Sequence, residues 1–171
     1  MTHIGSLGGL MLAGWLVGLT PLTLSAQTPP PDYDGAPPIE DLARFPQGTL
    51  TIETAKGVAS FQIWLADTPV RQQQGLMFVR DLPADRGMLF VNDPPRPASF
   101  WMKNTYIPLD LLFIDAQGRI VQIFENATPL SLRPIGVSTP VRAVLELRGG
   151  ESARRGIRRG ARVTHPAFTG R

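Results

Sequence analysis

The stretch from residue 109 to residue 124 constrains the fold most, because it is apolar on both faces of a predicted hairpin. Leu109–Ile114 and Ile120–Phe124 are apolar runs separated by a turn at 115–118. Successive strand side chains point to opposite faces, so Leu111 and Leu112 must face opposite sides of the sheet. A strand that is apolar on both faces has to be covered on both. We therefore expect a sheet closed into a barrel or covered by a second layer.

The neighbouring segments predict further short strands and two short helices. Alternating apolar and polar residues over 49–66 predict another hairpin. Thr68 followed by Pro69 predicts a helix N-terminus, and Gly75 can end that helix in the left-handed conformation. The remaining predicted elements are a strand over 87–91, a loop over 126–140, a strand over 141–147, a helix within 150–156 and a closing turn at Gly160. The expected fold class is mainly β (β-rich α+β), a compact antiparallel, barrel-like sheet with two short helices.

The N-terminal region predicts export. Residues 1–26 predict a signal peptide, since Ile4–Leu24 carries no charge and Ala26 offers a small residue for cleavage. The stretch before it has no Lys or Arg, so an uncleaved anchor helix is the alternative. The rest of the chain divides into a proline-rich linker over 27–47, one β-rich domain over 48–167 and a tail over 168–171. We expect a periplasmic or secreted protein, or one anchored in the inner membrane if the segment is retained.

Cysteine is absent and histidine is scarce, which excludes several function classes. Without cysteine there is no disulfide, no thiol catalysis and no thiolate metal site. His165 is the one histidine outside the predicted signal peptide, so histidine-rich metal clusters are excluded. We expect no cofactor and no metal. A minor alternative is Cu(I) binding by the thioethers of Met77, Met88 and Met102, although methionine more often fills gaps in a core.

The C-terminal region is basic. From Arg148 to Arg171 the chain has an excess of Arg over its one acid, Glu151, while the whole chain has a net charge of +3. Such a stretch is typical either of a polyanion-binding tail or of a solvated face. Because an exported protein meets little nucleic acid, we expect the solvated face and no nucleic-acid partner.

A series of short motifs carries a resemblance to a known family. In chain order the motifs are Gly75-Leu76-Met77, Arg80, Gly87–Phe90, Phe100–Thr105, Ile107–Asp110, Phe113–Asp115 and Val144–Leu147. This series resembles the prokaryotic family catalogued as domain of unknown function 192, over about residues 49–164. The resemblance implies a small β-rich, barrel-like domain that is often exported, and it brings no established reaction. Ala161 departs from the pattern, because similar proteins often carry an acid after the glycine that precedes it.

The motif Phe100–Thr105 predicts a binding site. If this segment is extended, Trp101 and Lys103 share one face. The Trp ring can stack on a ligand, Lys103 can neutralise charge, and Asn104 supplies both a donor and an acceptor. We therefore predict a cleft that binds a small polar or anionic ligand or a cell-envelope component. The predicted ligand-binding residues are Trp101, Lys103, Asn104, Arg80 and Asp110.

Two alternatives to ligand binding stay open. In the structural one, Phe100 and Met102 fill the core, and Lys103 pairs with Asp110 or Glu146. In the catalytic one, the chain is a metal-independent hydrolase or lyase in which Asp110 or Glu146 is the acid–base and Lys103 stabilises charge.

Glu146 lies in the apolar strand 144–147, so its carboxyl must be paired, carry a raised pKa, or face outward toward Arg142 or Arg148. We favour binding over catalysis, since no nucleophile motif is present. Membrane contact is expected only through a retained N-terminal segment, and the oligomeric state stays open.

Overall fold

The computed structural model of the chain describes residues 39–169, which form a seven-stranded curled sheet with two short helices. The sheet order is β5-β4-β6-β3-β2-β1-β7, and neighbouring strands are antiparallel except for the parallel pair β2–β3. The strands are β1 Gln47–Thr54, β2 Gly57–Ala66, β3 Arg86–Phe100, β4 Leu109–Ile114, β5 Ile120–Ala127, β6 Ile135–Arg148 and β7 Val163–Thr164. The helices are α1 Pro69–Gln74 and α2 Glu151–Arg155, and 3-10 turns span Leu42–Arg44 and Pro166–Phe168.

The two ends of the sheet approach each other at one place. β7 pairs with β1, and the residues just before β7 bond to the start of β5. Gly160 N donates to Ile120 O at 2.7 Å, and Ile120 N donates to Ala161 O at 3.0 Å. These bonds curl the sheet toward closure, which confirms the predicted barrel-like architecture.

Both faces of the sheet are covered, as the hairpin pattern predicts. Every residue of β4 is buried. One apolar cluster, which we call the first cluster, draws residues from all seven strands, including Leu112 and Leu145. A second cluster lies on the opposite face of β4 and includes Leu111 and Phe113. Leu76 and Leu82, from the crossover between β2 and β3, belong to this second cluster and cover it.

The predicted hairpins and helices are confirmed. β1 pairs with β2 in register, and β4 pairs with β5. Thr68 Oγ1 accepts the N–H of Arg71 at 3.3 Å and so caps α1. Gly75 ends α1 with a φ of 50°, although its ψ of −136° lies outside the left-handed helical region that we expected.

The predicted loop over 126–140 is wrong at both ends. β5 continues to Ala127, and β6 begins at Ile135, so that Phe100 of β3 pairs with Ile135. β3 and β6 thus form a long two-stranded ribbon, and several prolines lie in it. These prolines obscured the strand pattern in the sequence, because proline cannot donate a hydrogen bond to a β-ladder and is tolerated only at irregular positions. The register of β3 against β6 shifts between Val91 and Arg96, where two of these prolines lie.

Residues 39–47, which precede the predicted domain start at residue 48, pack against the domain. Phe45 is buried, and both the N–H and the carbonyl of Glu40 bond to the Gln74 side chain. The Arg71 guanidinium also pairs with Glu40, at 3.0 Å. These contacts fix residues 39–46 to α1. The predicted signal peptide and most of the predicted linker lie outside the described residues. None of the helices within 39–169 has the length and apolarity needed to span a bilayer.

We expect Gly87→Ala to lower the free energy of unfolding by about 1–3 kcal/mol, the usual cost of overpacking. A Cβ there would lie 2.6 Å from the Glu146 backbone oxygen and 2.8 Å from Leu147 Cδ2. Gly48→Ala is the matched control, because its Cβ would meet its nearest neighbour at an ordinary 3.5 Å. Chemical denaturation measures both variants. Equal stability of the two would contradict the proposed close packing of β3 against β6.

Candidate functional site

The segment after β3 is a turn and not a strand. β3 ends at Phe100, and the N–H of Thr105 donates to Met102 O at 3.1 Å. Asn104 has a φ of 55°, a conformation that asparagine tolerates better than most residues. The expected extended geometry over 100–105 is therefore wrong. Trp101 and Lys103 nevertheless lie together, since Lys103 Nζ is 5.2 Å from the Trp101 ring centroid.

Three segments meet at this turn, and we call their meeting point the loop junction: residues 77–80, 101–106 and 128–132. Backbone hydrogen bonds hold it together. Phe78 N donates to Asn104 O at 2.8 Å, Met102 N donates to Ser131 O at 2.9 Å, and Leu130 N donates to Thr105 O at 3.1 Å. The motif Phe100–Thr105 therefore lies between two other loops, and main-chain hydrogen bonds join it to each of them.

The loop junction concentrates strained backbone. Phe78 and Leu130 have φ values of 65° and 61°, and with Asn104 they are three of the four non-glycine residues with positive φ among residues 39–169. The left-handed region is unfavourable for bulky side chains, and such strain tends to collect at functional sites. Phe78 and Leu130 are also exposed, so burial of their own side chains does not offset the strain.

Two aromatic–cation pairs are presented at the loop junction. One is Trp101 with Lys103. In the other, the Arg80 guanidinium carbon lies 4.9 Å from the ring centroid of Tyr106. Phe78 packs edge-on against Tyr106, with ring centroids 6.0 Å apart. The predicted residues Arg80, Trp101, Lys103 and Asn104 thus all belong to segments of the loop junction. The sequence analysis did not predict a role for Tyr106 or Phe78. For Tyr106 the available signal was an aromatic residue directly after the motif.

Phe100 and Met102 fill the core, as the structural alternative predicted. Met102 is buried in the second cluster, and the Phe100 ring centroid lies 5.0 Å from that of Phe90 and 6.1 Å from that of Phe113. The motif therefore contains two kinds of residue: Phe100 and Met102 pack in the core, whereas Trp101 and Lys103 form a pair at the loop junction.

Asp110 holds the fold together and does not join the loop junction. It is fully buried, and Oδ1 accepts the N–H groups of Asn126 at 2.8 Å and Gly150 at 3.0 Å. Oδ2 accepts the N–H of Ser152 at 2.8 Å. One carboxylate thus ties the start of β4 to the end of β5 and to the first turn of α2. Its oxygens are occupied by the main chain, so the ligand-binding role that we predicted for Asp110 is not supported.

Glu146 is buried in an apolar row of side chains. It is 5% exposed, and its partners on the adjoining strands are Met88 and Leu111. Its Oε2 accepts no hydrogen bond from the residues that the structure describes. Burial raises the pKa of the Glu146 carboxyl to about 8. The predicted outward-facing Glu146 is therefore wrong, and the predicted rise of its pKa in an apolar strand matches this environment.

Strand register prevents Asp110 and Glu146 from acting together at one site. Asp110 lies opposite Leu147, whereas Glu146 lies opposite Leu111. Neighbouring positions of a strand point to opposite faces, so the two carboxyls lie on opposite sides of the sheet. The catalytic alternative would therefore have to use one of these carboxyls without the other.

The methionines considered for copper are buried. Met88 and Met102 pack in the second cluster, and Met77 is 6% exposed with Asn104 Nδ2 at 4.0 Å from its sulfur. This is the environment of core-filling methionines. Within residues 39–169 there is also no group of three or more His, Asp or Glu side chains placed to hold a metal ion.

Comparisons with known proteins agree with the fold. The family model DUF192, described as an uncharacterised ACR family, matches residues 50–165. A crystal structure of a protein of unknown function from Novosphingobium aromaticivorans is 37% identical, with a TM-score of 0.71, over 77% of this chain and 94% of that one. A protein from Sinorhizobium meliloti, named as a candidate transcription regulator, is 40% identical, with a TM-score of 0.70, over 72% of this chain and 96% of that one. No curated protein matches the chain.

We expect Asp110→Ala to destabilise the domain by at least about 3 kcal/mol, because it leaves three amide N–H groups without their acceptor. Asp115→Ala is the control. Asp115 likewise accepts backbone N–H groups, in its case two, but it lies in a turn where water can replace the lost acceptor. Urea denaturation compares them. A cost for Asp110→Ala no larger than that for Asp115→Ala would contradict the central role of this carboxylate.

Glu146→Gln tests the buried carboxyl through pH. The pKa of the Glu146 carboxyl is about 8 in the folded protein and the ordinary glutamate value is 4.5, so folding favours the protonated form. That contribution is fully present below about pH 4.5 and is lost as the pH rises to about 8. The variant should match the wild type at low pH and exceed its stability by on the order of a few kcal/mol near pH 8.

Thermal melts across this pH range supply the measurement, with Glu125→Gln as the exposed control. A stability difference between wild type and Glu146→Gln that stays constant with pH would show that Glu146 titrates normally.

Proposed function

The chain belongs to the DUF192 family, and we propose that it is a binding module whose loop junction holds a small anionic ligand of the cell envelope, such as a carboxylated sugar. The observation that carries the proposal is the presence of two aromatic–cation pairs on one hydrogen-bonded junction. Lys103 lies beside Trp101, and Arg80 lies beside Tyr106. A sugar acid matches this chemistry, because its ring has apolar faces that stack on aromatics and its carboxylate needs a cation.

Each side chain has a distinct role in this proposal. The rings of Trp101 and Tyr106 provide stacking surfaces. Lys103 and Arg80 neutralise the carboxylate, and the Arg80 guanidinium can bind it through two parallel hydrogen bonds. Asn104, at the tip of the turn, offers an amide to the ligand hydroxyls.

The rigidity of the loop junction supports binding. Its three segments are held by main-chain hydrogen bonds of 2.8–3.1 Å, and Phe78, Asn104 and Leu130 hold conformations that are rarely populated by free chains. A site that is ordered before the ligand arrives loses less entropy on binding.

Composition and the predicted location favour an envelope ligand. The apolar segment Ile4–Leu24 predicts export, which would bring the domain into contact with envelope components. The absence of cysteine and the single histidine beyond that segment favour binding over the commonest kinds of catalysis. The catalytic alternative now rests on Glu146, because burial raises the pKa of its carboxyl while the Asp110 oxygens are occupied by main-chain N–H groups.

Isothermal titration calorimetry with glucuronate tests the proposal, with glucose as the neutral ligand control. Binding of glucuronate should exceed that of glucose, and both Lys103→Ala and Arg80→Ala should weaken it by about tenfold, the cost of one charge-assisted contact. The matched control is Arg86→Ala, because the Arg86 guanidinium carbon lies 4.9 Å from the Trp64 ring centroid, outside the loop junction.

Two results would contradict the proposal. One is glucuronate binding that is unchanged in both Lys103→Ala and Arg80→Ala while their melting temperatures stay near that of the wild type. The other is an equal loss of binding in Arg86→Ala, which would show that net charge and not the loop junction attracts the ligand.

A further inference from the structure

The segment 150–161 is attached near both ends of β5, and a gap separates the two between these attachments. At one end the Asp110 carboxylate joins the amides of Asn126 and Gly150. At the other end the main chain of Gly160 and Ala161 bonds to Ile120. The segment 150–161 therefore follows the outer edge of β5 from its end to its start and is attached at both points.

A groove lies between these two attachments. It has a volume of about 530 Å³, within the range of ligand pockets. Gln122, Ile123 and Glu125 of β5 line one side. The other side is formed by α2 and the segment after it, with lining residues Ala153, Gly156, Ile157, Arg158 and Arg159.

The strand that borders the groove is an edge strand, and the segment 150–161 is bonded to it only near its two ends. β5 is the last strand of the sheet, and β4 is its one strand partner among residues 39–169. Proteins guard such edges with Pro, Lys, very short strands, bulges or a covering loop. Here the covering segment 150–161 leaves a groove along 122–125. β5 has eight residues and contains neither Pro nor Lys. Its outer edge along 122–125 thus offers main-chain donors and acceptors to an added strand.

The opposite wall sets the charge of the partner. Arg158 and Arg159 are exposed at the groove, and Glu125 is the one acid among its lining residues. Lys56 adds a further cation at this wall, since its Nζ donates to Arg154 O at 2.8 Å. The whole chain is also positive, with a net charge of +3. A second copy of the chain would bring like charges together here, whereas an acidic partner would be attracted.

We propose that this groove binds an extended acidic peptide segment of another protein, which adds a strand to the edge of β5. The peptide main chain pairs with β5, and its acidic side chains contact Arg158 and Arg159. The site is separate from the loop junction and is independent of the function proposed there.

Calorimetry on the full chain tests the proposal with a six-residue peptide of alternating valine and glutamate, capped at both ends. We expect saturable binding, about tenfold weaker binding when lysine replaces glutamate, and a similar loss in the Arg158→Ala, Arg159→Ala double variant. Arg133→Ala, which removes an exposed cation from the 128–134 loop, should leave peptide binding unchanged.

A backbone N-methylated version of the same peptide separates strand addition from charge attraction. Because it cannot donate main-chain hydrogen bonds, its binding should fall at least tenfold, and amide exchange at residues 122–125 should slow only with the unmodified peptide. Equal binding of the methylated peptide, equal competition by a short oligonucleotide, or no binding of the glutamate peptide would overturn the proposal. Self-association of the chain through β5, seen by ultracentrifugation with slowed exchange at 122–125, would overturn it in favour of a second copy.

Discussion

The carboxylate of Asp110 is the contact on which the most separate parts of the domain depend. Its two oxygens accept N–H groups from the end of β5, from the approach to α2 and from α2 itself. A buried carboxylate without partners would be strongly unfavourable, but three amides satisfy this one. The same bonds fix where the segment 150–161 leaves β6, and so they define one end of the groove beside β5. The motif pattern suggested Asp110 as a ligand contact, but its hydrogen bonds instead join three parts of the fold.

The two acids of the core show how burial and hydrogen bonding separate chemically similar groups. Asp110 is surrounded by donors, whereas Glu146 lies between Met88 and Leu111 and carries a raised pKa. Strand register places them on opposite faces of one sheet, although they are on adjoining strands. The same β4–β6 ladder therefore holds one carboxyl in an apolar environment and another that accepts three main-chain hydrogen bonds.

Much of the fold was predictable because its signals are local. The hairpins at 47–66 and 109–127, the cap of α1 at Thr68 and the two-faced burial of β4 follow from alternation and turn chemistry. The β3–β6 ribbon was missed because its proline-rich strands pair over a long sequence separation. The motif residues Trp101 and Lys103 were found, but their turn geometry depends on Asn104 and on two distant loops, which no local pattern reveals.

The loop junction has a consequence for the order of folding. Its segments, 77–80, 101–106 and 128–132, are bonded to one another across wide gaps in the chain, and they are placed by the parallel β2–β3 pair and the long β3–β6 ribbon. Non-local pairings of this kind close large loops and form slowly. The proposed binding surface therefore has no precursor in the local hairpins, and it forms only when the topology is complete. In a refolding reaction, recovery of ligand binding would trail recovery of β-structure.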